Sequence, residues 1–291
     1  MGINVQKCVG CGMCVRDCIR YLFEIQDGKA VLKEGICIGC GHCVAVCPTG
    51  AIEIPLNTED EIQEYNDRDF KIDPDQLLLF MKFRRSVRAY QPREVEPEKI
   101  QKIIEAGRYA PTAANRQKVR YILIQDNVNE FAEMSLKILN DAAEHMEEVE
   151  ELRNYTYYRD KWKYLYQQNS EEDIDGMFYK APCVLIVVDC ETLAVSTGSL
   201  NCGIASDNME LMANALGLGT CYIGFFSIAA EIDNDLKEML GLKDNERVAS
   251  VLTIGYPEIT YHRTVVRNRA NITKISRKKE KKGCKKEKVA K

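Results

Sequence analysis

The sequence has none of the features that mark a membrane-spanning or exported chain. Its 291 residues contain no run of about 18 apolar residues, and the N-terminus lacks a charged stretch followed by an apolar one. No G-x-G-x-x-G motif follows a predicted strand, so the usual fingerprint of a dinucleotide-binding fold is missing. We therefore expect a cytoplasmic protein with neither a membrane nor a nucleic-acid partner.

Tryptophan and histidine are scarce, with one and three residues, whereas cysteine is abundant, with thirteen. Eight of these lie in two runs near the N-terminus, CVGCGMCVRDC from Cys8 and CIGCGHCVAVCP from Cys37. So many cysteines would indicate disulfides in a small secreted protein, but this chain is neither short nor marked for secretion. Metal binding is the better explanation of the two runs.

The spacing of these cysteines is that of iron–sulfur ligands. A four-iron cluster takes four thiolates, and C-x2-C-x2-C supplies three of them from one loop. The second run matches C-x2-C-x2-C-x3-C-P completely, whereas Ile19 replaces the proline in the first. Two zinc sites are the alternative, since C-x2-C pairs also bind zinc. Three cysteines crowd each loop, and the glycines between them leave backbone N–H groups to face cluster sulfurs, which favours two [4Fe–4S] clusters.

This segment resembles a bacterial two-[4Fe–4S] ferredoxin over about 55 residues, a domain built as a βαβ-type pseudo-repeat. The resemblance implies that the last cysteine of each run ligates the other cluster. One cluster would be bound by Cys8, Cys11, Cys14 and Cys47, and the other by Cys18, Cys37, Cys40 and Cys43.

Changes in composition divide the chain into four segments. Residues 1–56 form the predicted ferredoxin domain, with a hairpin that turns at Asp27-Gly28. Residues 57–75 are acidic and poorly periodic, as in an exposed linker, and residues 76–273 form a second domain. Residues 274–291 are strongly basic, and we expect this tail to be disordered.

The second domain has the pattern of an α+β fold. Its first predicted helix has a face suited to burial, formed by Leu77, Leu78, Phe80, Met81 and Phe83. PEKIQKIIEAGRYAP predicts a second helix, and residues 199–219 predict an apolar helix with a glycine C-cap. Three apolar runs, VRYILIQD, APCVLIVVDC and VASVLTIGYP, predict strands, with a long polar helical insertion between the first two.

Four short segments of this domain indicate a cofactor site when taken together. FRRSVRAY places three arginines and a serine at a helix end, and such side chains suit a phosphate. APTAANRQ is a loop of small residues, GLGTCYIGFF exposes glycine-flanked backbone, and VVRNRANIT adds two arginines. In this order and at these separations, the four segments resemble the nitroreductase family of FMN enzymes over residues 76–275.

The resemblance implies a central mixed, mainly antiparallel sheet wrapped by helices, and a homodimer with FMN bound across the subunits. Arg84, Ser86 and Arg88, with the backbone around Arg85, would hold the phosphate, the ribityl chain or the polar edge of the flavin. Arg267 and Arg269 would complete the phosphate site. Tyr222, Ile223 and Gly224 would lie along the flavin, with the Ile223 N–H near N5. The residues expected to reach the flavin of the neighbouring subunit are Pro111, Thr112, Ala113 and Asn115.

These features predict an FMN-dependent oxidoreductase that reduces a nitroaromatic, a quinone or a similar conjugated compound. The two fused clusters would feed electrons to the flavin, from NADH, NADPH or a redox-protein donor. No side chain is expected to act as nucleophile or general base. Alternatives are a family variant, such as a reductive dehalogenase or a flavin-fragmenting enzyme, and an electron-transfer module that passes electrons to a partner protein.

One aromatic segment allows two interpretations. YTYYRDKWKYLYQQ, residues 155–168, places five tyrosines and the only tryptophan on one predicted helix. Such residues usually pack in a core or a dimer interface. The family resemblance makes a lid over the flavin equally reasonable.

Overall fold

The computed structural model of the chain describes residues 1–53, 62–66, 70–148, 150–191 and 197–275. Part of the predicted linker and nearly all of the predicted basic tail lie outside these residues, and the domain boundaries remain predictions. Within the described ranges, no helix combines the length and the apolar character that crossing a membrane requires.

The N-terminal region contains two short β-α-β units. Strands β2 and β3 form an antiparallel hairpin in which Gln26 pairs with Lys29. Asp27 and Gly28 in its two-residue turn have φ angles of 47° and 73°, as a type I′ turn requires, so the predicted hairpin is confirmed. The outermost strands, β1 and β4, pair antiparallel. The elements are β1 (Gly2–Ile3), α1 (Met13–Asp17), β2 (Phe23–Gln26), β3 (Lys29–Leu32), α2 (His42–Ala45) and β4 (Ile52–Glu53).

The larger region is built from helices and one central sheet. Short 3-10 segments at Ala113–Asn115 and Glu150–Tyr158 precede β5 and α6 respectively. The elements in chain order are α3 (Pro74–Phe83), α4 (Pro97–Arg108), β5 (Val119–Ile124), α5 (Val128–Glu144), α6 (Arg159–Glu172), β6 (Cys183–Asp189), α7 (Thr197–Ala215), β7 (Gly219–Tyr222), α8 (Gly224–Ile232), α9 (Asn234–Met239) and β8 (Arg247–Gly255).

The sheet has the strand order β5-β6-β8-β7, with antiparallel pairing throughout. An isolated parallel bridge between Ser86 and Thr220 extends it beyond β7 and makes it mixed. All seven residues of the apolar, β-branched strand β6 are buried, because helices cover both faces of the sheet. The predicted fold class is confirmed.

Alternate residues of β6 enter different halves of the core, since successive side chains in a strand point to opposite faces. Val184, Ile186 and Val188 pack with apolar residues of α5, α6 and α8. Cys183, Leu185 and Val187 pack with α4 and α7.

Helix α7 ends as its sequence predicts. Gly217 follows it with a φ of 77°, and Leu218 N donates to Ala213 O at 2.9 Å. This cap turns the chain directly into β7.

The prediction of a buried face on α3 is wrong for the single chain, since the helix has no buried residue. Leu78 and Leu79 are 48% and 52% exposed, and Met81 is 41% exposed. The helix is apolar, but the chain itself provides no surface that covers it.

Candidate functional site

The eight N-terminal cysteines surround two separate cavities. Each cavity is lined by three cysteines of one run and the last cysteine of the other run. The first is lined by Cys8, Cys11, Cys14 and Cys47, and the second by Cys18, Cys37, Cys40 and Cys43. These are the two ligand sets that the ferredoxin resemblance implies.

Backbone N–H groups point at the sulfurs in both loops. Ala30 N donates to Cys8 Sγ at 3.3 Å, Ala51 N to Cys47 Sγ at 3.2 Å, and Gly39 N to Cys37 Sγ at 3.3 Å. Thiolates that accept such bonds are the donor set of an iron–sulfur cluster. Within the described part of the chain, no three His, Cys, Asp or Glu side chains converge on a single-ion site.

Burial affects the protonation of these thiols. It raises the pKa of Cys43 to about 11, and it also raises the pKa of Cys14. Iron must therefore displace a proton from these two thiols on binding, because only thiolates are ligands.

The arginine-rich segment lies against the edge of the sheet. Val87 N donates to Thr220 O at 2.8 Å, next to the bridge between Ser86 and Thr220. This contact places residues 84–88 beside β7 and the segment that follows it, as a shared cofactor site requires. The sequence suggested both segments, and the structure brings them together.

Arg84 forms an ion pair with Glu210 of α7. The Glu210 side chain is 2% exposed, and it also accepts a hydrogen bond from Thr220 Oγ1 at 3.3 Å. Burial raises the pKa of Glu210, while the guanidinium of Arg84 and the Thr220 hydroxyl oppose that rise. The sequence analysis did not identify Glu210, since a glutamate on a predicted helix gives no local sign that it is buried.

Two nitrogens of the arginine segment are buried without a hydrogen-bond partner among the described residues. They are Arg84 Nε and Arg85 Nε. Buried donors are rarely left unpaired, so such atoms indicate a missing acceptor. The charge and the spare donors of this segment fit the phosphate of FMN.

Arg88 is exposed and lies next to Tyr179. Its guanidinium carbon is 5.9 Å from the centre of the Tyr179 ring, and its side chain also contacts the Cys221 thiol. Tyr179 and Lys180 have φ angles of 58° and 54°, an uncommon conformation for such residues. No local sequence pattern predicts Tyr179 as a neighbour of Arg88.

The Asp175 carboxylate holds the turn that carries Tyr179. It accepts the N–H groups of Met177, Phe178 and Lys180 at 2.9, 2.8 and 2.8 Å. This turn fixes one wall of the site beside Arg88.

One predicted contact needs correction. Ile223 N donates to Val251 O at 2.9 Å, so the N–H expected at N5 of the flavin is held within the protein. The next residue, Gly224, begins α8, and a Cβ added there would meet no atom within 4 Å. The first N–H groups of a helix have no partner within it. The Ile223 N–H is therefore committed to β8, whereas the Gly224 N–H has no partner within α8.

The loop from Pro111 to Asn115 does not join the arginine segment within one chain. Ala113 N donates to Asn201 Oδ1 at 3.3 Å, near the start of α7, whereas Arg84 pairs with Glu210 farther along this helix. Nine residues of helix place these points about 13 Å apart. The loop and the arginine segment are therefore apart in the single chain, as two half-sites that a dimer would join are predicted to be.

The structure does not bring Arg267 and Arg269 to the arginine segment. Both are exposed in the extended stretch that follows β8. Neither forms an ion pair or hydrogen bond with another described residue. Their predicted role at the phosphate remains an expectation for the assembled protein.

The aromatic insertion is divided between core and surface. Trp162 is fully buried, with ring centroids 6.3 Å from Tyr158 and 6.1 Å from Phe225. Tyr157 and Tyr164 are 88% and 52% exposed. The tryptophan therefore has a packing role, and it supports Phe225, the second residue of α8.

We expect Gly219→Ala to destabilise the protein by about 1–3 kcal/mol, because an added side chain overpacks the contact between β7 and the arginine segment. The new Cβ would lie 2.5 Å from Val87 Cγ2. FMN retention should fall as well. Gly203→Ala is the matched control, since Gly203 is exposed in α7 and has no atom within 4 Å of an added Cβ. That control should stabilise the helix by about 0.5–1 kcal/mol. Urea unfolding measures both, and equal changes would contradict the prediction.

The comparisons with known proteins agree with this arrangement. The sequence model described as "Nitroreductase family" matches residues 81–256, and the model described as "4Fe-4S dicluster domain" matches residues 7–51. The first match covers more than half of the chain.

Two archaeal relatives are named as NADH dehydrogenase/NAD(P)H nitroreductase proteins. The one from Archaeoglobus fulgidus is 27% identical over 187 residues, which cover 63% of this chain and 87% of the relative. The one from Methanothermobacter thermautotrophicus is 25% identical over 192 residues, covering 65% and 81%.

A solved structure with a similar fold is a nitroreductase with bound FMN from Bacteroides fragilis. It has a TM-score of 0.52 and 23% identity, and the match covers 68% of this chain and 99% of that one.

The fold and the paired segments at the sheet edge define a flavin-dependent type of oxidoreductase fused to an iron–sulfur domain. The chain belongs to the nitroreductase family, and it is an FMN-dependent oxidoreductase.

Proposed function

We propose that the protein reduces a nitroaromatic, a quinone or a similar conjugated compound at an FMN held beside β7. The observation that carries this proposal is the arginine segment, which lies along β7 with two buried guanidinium nitrogens that have no acceptor among the residues the structure describes. When bound, FMN supplies a centre that exchanges one or two electrons.

The residues of the chain have distinct roles in this proposal. Arg84, Arg85 and Ser86 bind the phosphate end, and Arg88, held against Tyr179, faces the polar edge of the flavin. The start of α8 at Gly224 donates a backbone N–H toward N5. Tyr222, 43% exposed, lies at the open side of the site, where an acceptor can approach. Protons come from water, so no acid or base side chain is required.

The two clusters supply the electrons. The two ligand sets surround separate cavities in the N-terminal region, and each cavity would hold one cluster. A cluster of this type carries one electron at a time. Two such electrons equal the pair that a conjugated acceptor needs. The donor is NADH, NADPH or a reduced redox protein.

The working form is a homodimer. Helix α3 is apolar and has no buried residue, and the two half-sites of one chain lie about 13 Å apart along α7. A second chain would cover α3 and bring the Pro111–Asn115 loop to the partner's arginine segment. Exposed apolar helices on a folded chain commonly mark such interfaces.

The test is a spectrum of anaerobically purified protein, with iron, sulfide and FMN measured in the same sample. We expect bound FMN and two [4Fe–4S] clusters per chain. NADH, NADPH and a reduced ferredoxin are then added separately, and a nitroaromatic is supplied as acceptor. Oxidation of the reduced protein by the acceptor supports the proposal. Absence of FMN, or no oxidation after reduction by any donor, overturns it.

A further inference from the structure

One hydrogen bond joins the second cysteine loop to the larger region. Asn115 Nδ2 donates to Gly39 O at 2.9 Å, across 76 residues of sequence, and both residues are partly buried. Gly39 lies between Cys37 and Cys40, which line the second cavity. The contact therefore connects a ligand loop of a cluster to the loop predicted to reach the flavin.

Gly39 has a second bond, which ends on a cluster ligand. Its N–H donates to Cys37 Sγ at 3.3 Å, while its carbonyl accepts from Asn115. The φ of Gly39 is 64°, a conformation that favours glycine and lets one residue make both bonds. An uninterrupted path of covalent and hydrogen bonds thus runs from the Cys37 sulfur to the Asn115 amide.

The loop that carries Asn115 has an unusual backbone. Ala114, Asn115 and Gln117 have φ angles of 52°, 53° and 51°, and none of them is glycine. Thr112 Oγ1 accepts Gln117 N at 3.0 Å, and Asn201 Oδ1 accepts Ala113 N, so the strained loop is held from two sides. Strain that is maintained in this way is typical of functional segments.

The first cysteine loop has no such connection. Its hydrogen bonds within the described residues end inside residues 1–53, for example Lys29 Nζ to Cys8 O at 2.6 Å. Val9 and Met13, on either side of Cys11, are 63% and 39% exposed. Both residues also line the first cavity, so that cavity borders solvent.

We propose that the second cysteine loop is the exit face of the ferredoxin domain and that Asn115 is the residue that positions it. The cluster bound by Cys18, Cys37, Cys40 and Cys43 is then the inner one, and the cluster bound by Cys8, Cys11, Cys14 and Cys47 is the outer one. This inference rests on the proposed function and adds the order in which electrons pass through the two clusters. In each event the inner cluster is oxidised by one electron, the flavin site gains that electron, and no atom is transferred.

The inference also identifies which flavin each ferredoxin domain serves. Because the Pro111–Asn115 loop is predicted to reach the flavin of the neighbouring subunit, the inner cluster of one chain would deliver to the site that its own loop completes in the partner. Electron transfer would then cross the subunit boundary.

The first experiment measures amide hydrogen exchange in the full-length protein with both clusters and FMN bound. Asn115→Leu removes the donor, and Asn127→Leu is the matched control, because Asn127 also has a positive φ, of 57°, but lies at the start of α5. We expect exchange over residues 36–43 to become about fivefold faster in Asn115→Leu, the factor that corresponds to about 1 kcal/mol for one hydrogen bond. Residues 7–14 should not change in either variant.

The second experiment is an anaerobic redox titration followed by electron paramagnetic resonance. Asn115 fixes the position of Gly39 through its carbonyl, and the Gly39 N–H stabilises charge on the Cys37 sulfur. Without Asn115, the potential of one cluster should fall while that of the other stays the same. The affected cluster must be the one whose signal disappears in Cys40→Ala.

Unchanged exchange over residues 36–43, or a shift in the cluster that Cys11→Ala removes, would overturn the inference. These outcomes are distinguishable from failure of the proposed function, which would be seen as absence of FMN or of acceptor reduction in the unaltered protein.

Discussion

Arg84→Met is expected to lower the free energy of unfolding by about 3 kcal/mol and to abolish FMN retention. Removing one partner of a buried ion pair leaves an uncompensated charge. Here that charge is the Glu210 carboxylate, whose side chain is 2% exposed against 34% for Arg84. Urea unfolding and the FMN content after gel filtration measure the two effects.

A second substitution separates the two roles of Arg84. Arg84→Met/Glu210→Leu removes the stranded charge, and apolar pairs often replace buried ion pairs at little cost. The double variant should recover most of the lost stability but no FMN. Equal instability of the single and double variants would contradict this account.

The pH dependence of stability provides an independent check on the role of Glu210. Burial already raises the pKa of Glu210, and loss of Arg84 raises it further. A carboxyl group whose pKa is raised in the folded state destabilises the protein at pH values above its unfolded-state pKa. The loss in free energy of unfolding caused by Arg84→Met should therefore become smaller as the pH falls. Arg93→Met, which breaks an exposed pair with Glu96, should cost clearly less stability than Arg84→Met, because solvent screens an exposed pair.

Cys40→Ala and Cys18→Ala are expected to eliminate the same cluster, although these cysteines belong to different runs. Both line the second cavity. Cys14→Ala and Cys47→Ala, from the first cavity, should eliminate the other cluster. Iron content and the electron paramagnetic resonance spectrum of the reduced protein measure the loss, and variants that eliminate the same cluster should leave the same remaining spectrum.

Cys202→Ala is the matched control for these variants, since Cys202 is 1% exposed and lies in α7, away from both cavities. It should retain both clusters. If Cys18→Ala instead gave the spectrum of Cys14→Ala, each run would bind its own cluster and the crossed assignment would be wrong. Zinc in place of iron in the unaltered protein would contradict the cluster assignment altogether.

The cysteine segment could be predicted well because its determinants are local. The spacing of ligands and glycines sets the loops, and Asp27-Gly28 sets the hairpin between them. The strands and the end of α7 could be predicted for the same reason, since β-branched runs and a C-cap glycine act over a few residues.

The environment of the arginine segment depends on distant partners instead. Glu210 has the same local pattern as an exposed helical glutamate, and only the packing of α7 against the sheet buries it. The use of Ile223 N depends on its contact with Val251 of β8, which no local signal specifies. Tyr179 approaches Arg88 only because Asp175 fixes an unusual turn.

Helix α3 shows a different limit. Its three leucines and two phenylalanines form an apolar stretch, which predicts burial, and the single chain leaves the leucines and Phe83 exposed. The pattern identifies a surface that avoids water, but it does not say which molecule covers that surface.

The pairing of β1 with β4 has a consequence for the engineering of this protein. Gly2 faces Glu53 across two antiparallel strands, so the first and last strands of the ferredoxin segment meet on one side. The two ends of this unit are adjacent, and one segment connects it to the larger region. Compact units with adjacent ends tolerate insertion elsewhere, so this unit can be transferred to another protein. Grafting residues 1–56 onto a flavoprotein that lacks clusters would give it a built-in electron supply, provided that the host offers an amide donor where this chain has Asn115.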